Sequence, residues 1–307
     1  MLLDNELELI RKNVILEANT ATLIASDIKS SDHLIGDLIG RVYQKSIINQ
    51  VLDTQPCIGP SGVVFYTKTT KSVDSVTQIP TFKKSVMKSP SFTVDTEKNF
   101  SIYNSEYIND LQNQFGKDGV QLLTKTIFQE LKDQIDQKFI KQLYLSAAAK
   151  GTISFTSTNP VLDDLFKVIH KVNQSSLQIA KDTRRGYGSF VIASPNVAAA
   201  LMTTGLAGFI AVQDERNRDL IGFIGKTPVF MDIYNDVSPN EEYFIVSHKG
   251  VSTGDSSYIF CPYNIDVIIA DTYSVEEAKM LGLARYKIVQ NPTDVIGDGN
   301  SIFSHKY

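Results

Sequence analysis

The sequence predicts an α+β protein, because helices and strands alternate along it without a βαβ rhythm. Three observations carry that prediction. A four-residue apolar stripe runs through Leu111, Phe115, Leu123, Ile127, Leu131, Ile135, Phe139 and Leu143. A stretch at 65–98, rich in Thr, Ser, Val and Lys, reads as a strand, a long tip and a return strand. The last third holds strand-like runs at 228–234, 242–248, 257–261, 265–270 and 284–290, with a helix near 274–280. No internal repeat is visible.

Residues 2–30 set Leu3, Leu7, Ile10, Val14 and Ala18 at helical spacing, with Glu6, Glu8, Arg11 and Lys12 between them. This is an amphipathic helix, either docked on the body or used as an arm in assembly. The mixed segment 31–64 ends in the breakers Pro56, Gly59, Pro60 and Gly62. In the hairpin that follows, 63–66 and 91–94 are the strand-like runs, around a turn-rich middle at Gln78-Ile79-Pro80. Lys68, Lys71, Lys83, Lys84, Lys88 and Lys98 outweigh Asp74, Asp95 and Glu97 there, against the sign of the whole chain. The hairpin is therefore either a solvated surface feature or an arm lying over an acidic neighbouring subunit.

Four residues advance about 400° on a helix, so the four-residue stripe drifts by about 40° per step. Such a helix turns its apolar face toward different partners along its length. Gly116 and Gly119 interrupt it, predicting a short helix near 104–115 and a long one near 118–148, on the order of 45 Å. Asn159 and Pro160 supply an N-cap and a first helical position for a helix reaching Thr183. A buried strand at 188–193 then turns at Pro195-Asn196 into an Ala-rich helix, 196–204, and a charged run occupies 214–219.

At 307 residues, with 42% hydrophobic and 21% charged residues, the chain can bury a full core as one elaborate domain or two ordinary ones. Its net charge of −4 argues against a nucleic-acid-binding protein, whose domains usually carry a basic stripe. Cys57 and Cys261 are the only cysteines, far apart and in unlike contexts, so neither a disulfide framework nor a zinc site is expected. A reducing cytoplasm is the expected place of synthesis. No run of about eighteen apolar residues is present, so no membrane span is expected. The start, Met1-Leu2-Leu3-Asp4, lacks the basic region of a secretory signal.

The sequence lacks the motifs that carry chemistry. Gly225-Lys226-Thr227 looks like the end of a phosphate loop, but Leu220 stands where the opening Gly is needed and Pro228 where a helix should begin. His33, His170, His248 and His305 share no metal-ligand spacing with one another or with a cysteine. Cys261 before Pro262 reads as a packing cysteine, lacking a helix N-terminus or a paired base. Gly297-Asp298-Gly299-Asn300 lacks the acidic ladder of a calcium loop. Arg184-Arg185 either holds a phosphate or completes the dipole of a helix end.

A series of segments then falls into a recognisable order. A helix, glycine turn and long helix at 107–140 precede Thr183-Arg184-Arg185-Gly186-Tyr187-Gly188 and its buried strand. Next comes 225–234, closing on Asp232-Ile233-Tyr234, then 243–250 (YFIVSHKG), 258–263 (YIFCPY) and 285–292 (RYKIVQNP). Over about residues 100–292 this order and spacing resemble the major head proteins of T4-type tailed phages.

The resemblance implies the HK97-type capsid fold. It makes 1–30 an N-terminal arm or helix, and 65–98 the extended E-loop. Segments 31–64, 99–159 and 281–307 become the peripheral P domain, with a spine helix at 104–148, and 160–280 the axial A domain. It implies a structural protein, not an enzyme, with no cofactor and no metal. Such a subunit forms hexamers and pentamers of an icosahedral or elongated head enclosing double-stranded DNA, in a virion assembled in the host cytoplasm. Portal, scaffold, maturation protease and decoration proteins are its implied partners. The acidic balance fits a surface that stands near packed DNA without gripping it, and no membrane is involved.

The candidate intersubunit residues are Lys68, Lys71, Lys83, Lys84 and Lys88 on the E-loop, and Asp214, Glu215, Arg216, Arg218 and Asp219 on an A-domain loop. Ile15-Leu16-Glu17-Ala18 resembles the site cut by the family's head-maturation protease, implying processing after Glu17. The chain is short for this family, with little room for an inserted domain or a long propeptide. A nanocompartment shell of the encapsulin type and a soluble cytoplasmic enzyme without a recognisable motif are the alternatives.

Overall fold

The computed structural model describes residues 46–73, 80–104, 119–152, 162–183, 186–203, 208–212, 219–235, 242–250, 256–270, 277–291 and 302–306, with isolated positions at 106, 110 and 113. The expected helix at 2–30, most of the short helix near 104–115, the hairpin tip at 74–79 and the cap at Asn159-Pro160 lie outside these residues.

A short helix, α1 (Ile47–Val51), leads to β1 (Asp53–Thr54). The breaker cluster turns the chain into β2 (Ser61–Val63), and the hairpin follows as β3 (Tyr66–Val73) and β4 (Pro80–Lys88). The return runs through β5 (Ser91–Thr93) into β6 (Asp95–Asn104). Next come the long helix α2 (Gly119–Ser146), β7 (Ala148–Thr152) and α3 (Leu162–Thr183). Then β8 (Phe190–Ala193), α4 (Pro195–Thr203), β9 (Phe209–Ala211), β10 (Leu220–Ile224), β11 (Thr227–Met231) and β12 (Tyr243–Ser247) follow. The chain closes with β13 (Tyr258–Ala270), β14 (Glu277–Gln290) and β15 (Ile302–Lys306).

Two sheets organise the body. The larger has seven strands in the order β7-β15-β12-β8-β11-β10-β9, and the smaller four in the order β1-β13-β14-β6. β8 is apolar at every position, as a strand covered on both faces must be. Its side chains alternate between two cores with the period of two that a strand imposes. Phe190 and Ile192, with Tyr243 and Ile245 of β12, pack in the cluster that includes α2. Val191 and Ala193, with Phe244 and Val246, pack against α3 and α4 instead.

The apolar stripe of α2 is why the two sheets form one body. Ile127, Leu131, Ile135, Phe139 and Leu143 are all buried, in a cluster shared with β8 and β12 of the large sheet and with Met280, Ala284, Tyr286 and Ile288 of β14. At 28 residues the helix is about 42 Å long. It lies so close to the smaller sheet that a Cβ on Gly282 of β14 would sit 2.5 Å from Ile127 Cγ2. Its drifting stripe thus meets successive partners, as the spacing predicts.

Several expectations change. The runs at 257–261 and 265–270 are one strand, β13, with a bulge between Pro262 and Asn264. The helix expected near 274–280 is strand from Glu277 onward, because this backbone is hydrogen-bonded between β13 and β6. The middle of the hairpin is ladder rather than long tip, paired from Tyr66↔Lys88 to Val73↔Pro80. The expected domain limits also cut across pairings: β13 belongs to the same sheet as β6 and β14, and β15 joins the larger sheet between β7 and β12. Backbone hydrogen bonds, invisible to a linear reading, decide both.

Candidate functional site

The hairpin β3–β4 forms a two-stranded sheet of its own, with a register shift at Thr70/Lys71. An isolated two-stranded ribbon is at best marginally stable in water, so it needs a surface to lie on. Its register sets Lys68 opposite Val86, Lys84 opposite Thr70, and Lys88 opposite Tyr66; Lys71 stands at the bulge opposite Phe82, next to Lys83. At the hairpin's root, the Gln55 side chain brackets the Phe65 backbone, with its amide nitrogen donating to the Phe65 carbonyl at 3.1 Å and its oxygen accepting from the Phe65 amide at 3.1 Å. Phe65 is thereby fixed while 53% exposed.

The acids on the return strand are satisfied within the subunit. Glu97 pairs with Lys138 of α2 at 2.5 Å, and Asp95 lies 3.1 Å from Lys287 and 3.7 Å from Lys138. Within 66–88 five lysines therefore face only Asp74 in the sequence.

Of the charged loop, Asp214, Glu215, Arg216 and Arg218 lie outside the described residues. Asp219 does not belong to a loop tip. It is 5% exposed, and its Oδ2 lies 2.8 Å from Lys132 Nζ on α2. Lys132 is equally enclosed and also faces Asp133 and Asp136, each at 3.3 Å. Asp136 in turn accepts from Ser46 Oγ at 2.5 Å and from the Ile47 and Ile48 amides at 3.3 Å, so it caps α1 from the middle of α2. Asp133 accepts from the Tyr234 hydroxyl at 2.5 Å, and Asp232 from the buried Tyr243 hydroxyl at 2.5 Å.

Burial alone would lower the Lys132 ammonium, but Asp136 and Asp219 outweigh it and hold it above the ordinary lysine value. Burial raises Asp136 from 3.8 to about 6, against the opposing pull of Lys132 and Ser46. The cleft here, lined by Lys132, Asp133, Asp219, Asp232 and Tyr234, has room for little more than a water molecule. It is a structural junction joining α1, α2 and the start of β10, with no space for a substrate.

The glycines after Arg184-Arg185 answer to packing. A Cβ on Gly186 would meet His248 Cε1 at 2.7 Å, and one on Gly188 would meet Val246 Cγ1 at 2.6 Å and the Ser176 Cα at 3.2 Å. His248 Nδ1 lies 2.7 Å from the Tyr187 carbonyl, and Lys249 donates through its amide to Ser189 Oγ at 2.5 Å. The Lys249 ammonium reaches the Gln50 carbonyl at 3.0 Å near the end of α1, and burial lowers its pKa. Tyr258 Oη lies 2.8 Å from Ser146 Oγ, closing the end of α2. These motifs therefore bind distant segments together. Nothing in the linear sequence pointed to the junction at Lys132; the i, i+4 pair Lys132/Asp136 reads there as an ordinary polar face.

Gly225-Lys226 is the two-residue turn of the β10–β11 hairpin, with Gly225 at φ 61°. His170 is exposed on α3. Among the described residues no group of three His, Cys, Asp or Glu is arranged to hold a metal, and no helix is long and apolar enough to cross a membrane. Arg184, Arg185, Glu17 and the 297–300 turn lie outside the described residues.

The family model described as Major capsid protein Gp23 matches residues 77–303. The major capsid protein of Salmonella phage ViI is 25% identical over 208 residues, covering 63% of this chain and 47% of that protein. That of Enterobacteria phage T4 is 29% identical over 105 residues, covering 31% of this chain and 19% of that protein. The chain spans about half the length of the first of these relatives. Among solved structures, one from Mycobacterium phage Bobi has a TM-score of 0.55 at 13% identity, covering 94% of this chain and 97% of that one. The capsid of Myoviridae phage XM1 gives 0.51 at 10% identity, over 94% and 97%. The holo-SrpI encapsulin complex of Synechococcus elongatus gives 0.54 at 11% identity, over 95% and 94%.

Proposed function

The chain belongs to the Major capsid protein Gp23 family, and from that membership we propose that it self-assembles into the hexamers and pentamers of a tailed-phage head enclosing double-stranded DNA. The observation that carries this reading is the family match over 77–303, on the HK97-type fold shared with the XM1 capsid. The encapsulin has the same fold, but the relatives matched in sequence are phage head proteins, which favours a head over a cellular compartment.

In this reading the β3–β4 hairpin is the E-loop and lies over an adjacent subunit. Lys68, Lys71, Lys83, Lys84 and Lys88 meet acidic groups there, a reading supported by Asp95 and Glu97 pairing with Lys138 and Lys287 of their own subunit. α2 and the four-stranded sheet form the P-domain floor, and α3, α4 and the larger sheet form the A domain. Asp214, Glu215, Arg216 and Arg218, which precede the inward-held Asp219 in the sequence, meet their counterparts around the capsomer axis. Assembly takes place in the host cytoplasm with scaffold, portal and decoration proteins, and a maturation protease cuts after Glu17. Stability comes from many repeated interfaces of ordinary size rather than from a site of chemistry.

Negative-stain electron microscopy after size-exclusion chromatography, with and without a co-expressed scaffold, tests this. Shells, tubes or six-fold rings are expected. A monomer under every condition overturns it, and particles that co-purify with an enzyme instead of packaging DNA turn it toward the compartment.

A further inference from the structure

The junction at Lys132 encloses more negative charge than its one cation can balance. Asp219 reaches the ammonium at 2.8 Å, and Asp133 and Asp136 each at 3.3 Å. Asp232, buried just after β11, borders the same cleft and holds the Tyr243 hydroxyl of β12. Tyr234 reaches Asp133, and from α1 only the Ser46 hydroxyl and two backbone amides face Asp136. On the β14 side, burial and then Glu97, Asp95 and Asp136 push the Tyr286 hydroxyl up. A cleft with room for little more than a water molecule cannot hydrate this surplus. Three enclosed carboxylates in contact with one ammonium therefore keep a proton at a pH where open carboxylates have lost theirs.

Asp136 is the group that keeps it. Asp219 has the shortest contact with Lys132, and Asp133 is the most open of the three. Burial raises Asp136 from 3.8 to about 6 against the pull of Lys132. The seat accepts either form. With the proton on Oδ1 the 2.5 Å bond to Ser46 reverses, because a hydroxyl both donates and accepts, while Oδ2 still faces the Ile47 amide and Lys132.

What Asp136 holds is α1, which at five residues is too short to persist as a helix by itself. Within it the Leu52 amide returns to the Ile48 carbonyl at 2.8 Å. Both ends are tied to distant elements, the first to Asp136 and the last to Lys249, whose ammonium donates to the Gln50 carbonyl at 3.0 Å and faces Asp53. Ile47, Ile48 and Val51 complete the seat in the core.

We propose that α1 is a proton-operated clasp, closed on α2 while Asp136 carries a proton and opening locally more often once that proton is lost, with both sheets intact. Opening admits water to the carboxylate, so the open form binds the proton less tightly than the closed one. Rising pH therefore draws the equilibrium toward opening. A carboxyl at 3.8 when open and about 6 when closed multiplies the open fraction by up to about 100-fold across that interval. The clasp controls the stretch by which the chain enters β1 and the hairpin. It needs only the folded subunit, so it stands or falls separately from the shell.

Hydrogen exchange of the full-length protein tests this, read by mass spectrometry on peptides covering 46–52 and 135–143 and corrected for the intrinsic pH dependence of amide exchange. Between about pH 4 and about pH 7 the protection of 46–52 should fall by up to about 100-fold, while 135–143 stays unchanged. Asp136→Asn should give a flat profile at 46–52. Asp219→Asn keeps Asp136, removes a neighbouring charge that raises it, and should move the fall to lower pH; this variant carries the test if the first does not fold. A flat wild-type profile, an equal fall in Asp136→Asn, an unmoved fall in Asp219→Asn, or a parallel loss at 135–143 would each overturn the clasp.

Discussion

Asp136 must be ionised to hold Lys132, yet the same burial that makes the pair strong favours its proton. Its pKa rises from 3.8 in the open chain to about 6 in the fold, so the folded state binds the proton more tightly. The stability this group contributes is complete below about pH 4 and is lost as the pH climbs through about 6. Asp136→Asn removes that titration. Between those limits the wild type should fall relative to the variant by up to about 3 kcal/mol in urea unfolding, and the gap should stay level above pH 7. Parallel profiles would assign the slope to other carboxyls. Lys132→Met leaves Asp136 and Asp219 enclosed without their cation, which should cost about 3–5 kcal/mol at neutral pH and less toward pH 4.

Between elements, the closest approach is α2 over β14 at Gly282, where any Cβ collides with Ile127 and Leu131. Gly282→Ala should destabilise by about 1–3 kcal/mol, because both helix and sheet are fixed by their own ladders. Gly59→Ala, whose Cβ would meet only the Ser61 carbonyl at 3.7 Å, should stay within about 0.5 kcal/mol, as chemical denaturation will show. The helix itself was legible in the sequence, since Leu123 to Leu143 repeat at one spacing and all face the core. So were β8, β11 and β12, whose β-branched and aromatic runs are buried on both sides. Glu277 to Leu283 misled, because Glu, Ala, Lys, Met and Leu favour helix, and only pairing on both edges makes them strand. β7 (Ala148–Thr152) gave no signal for the same reason: its register comes from β15, far along the chain. The junction at Lys132 was illegible because it depends on segments that only the finished fold brings together.

For the whole molecule, the hairpin's separateness predicts that folding and assembly can be uncoupled. Replacing 66–88 with a short Gly-rich turn should leave the subunit's circular dichroism and unfolding midpoint nearly unchanged while abolishing particles in negative stain. Loss of the fold would mean that the ribbon supports its own subunit instead. The larger sheet has a different consequence. β15 is inserted between β7 and β12, so three stretches spread over half the chain must meet to complete it. A ribosome making this protein cannot finish that sheet until residues 302–306 have emerged, however early α2 and β8 are ready. Closure across such distance is intrinsically slow. Every newly made subunit therefore passes through an interval in which the outer edge of β12 is bare, and an edge of that kind can pair with another chain.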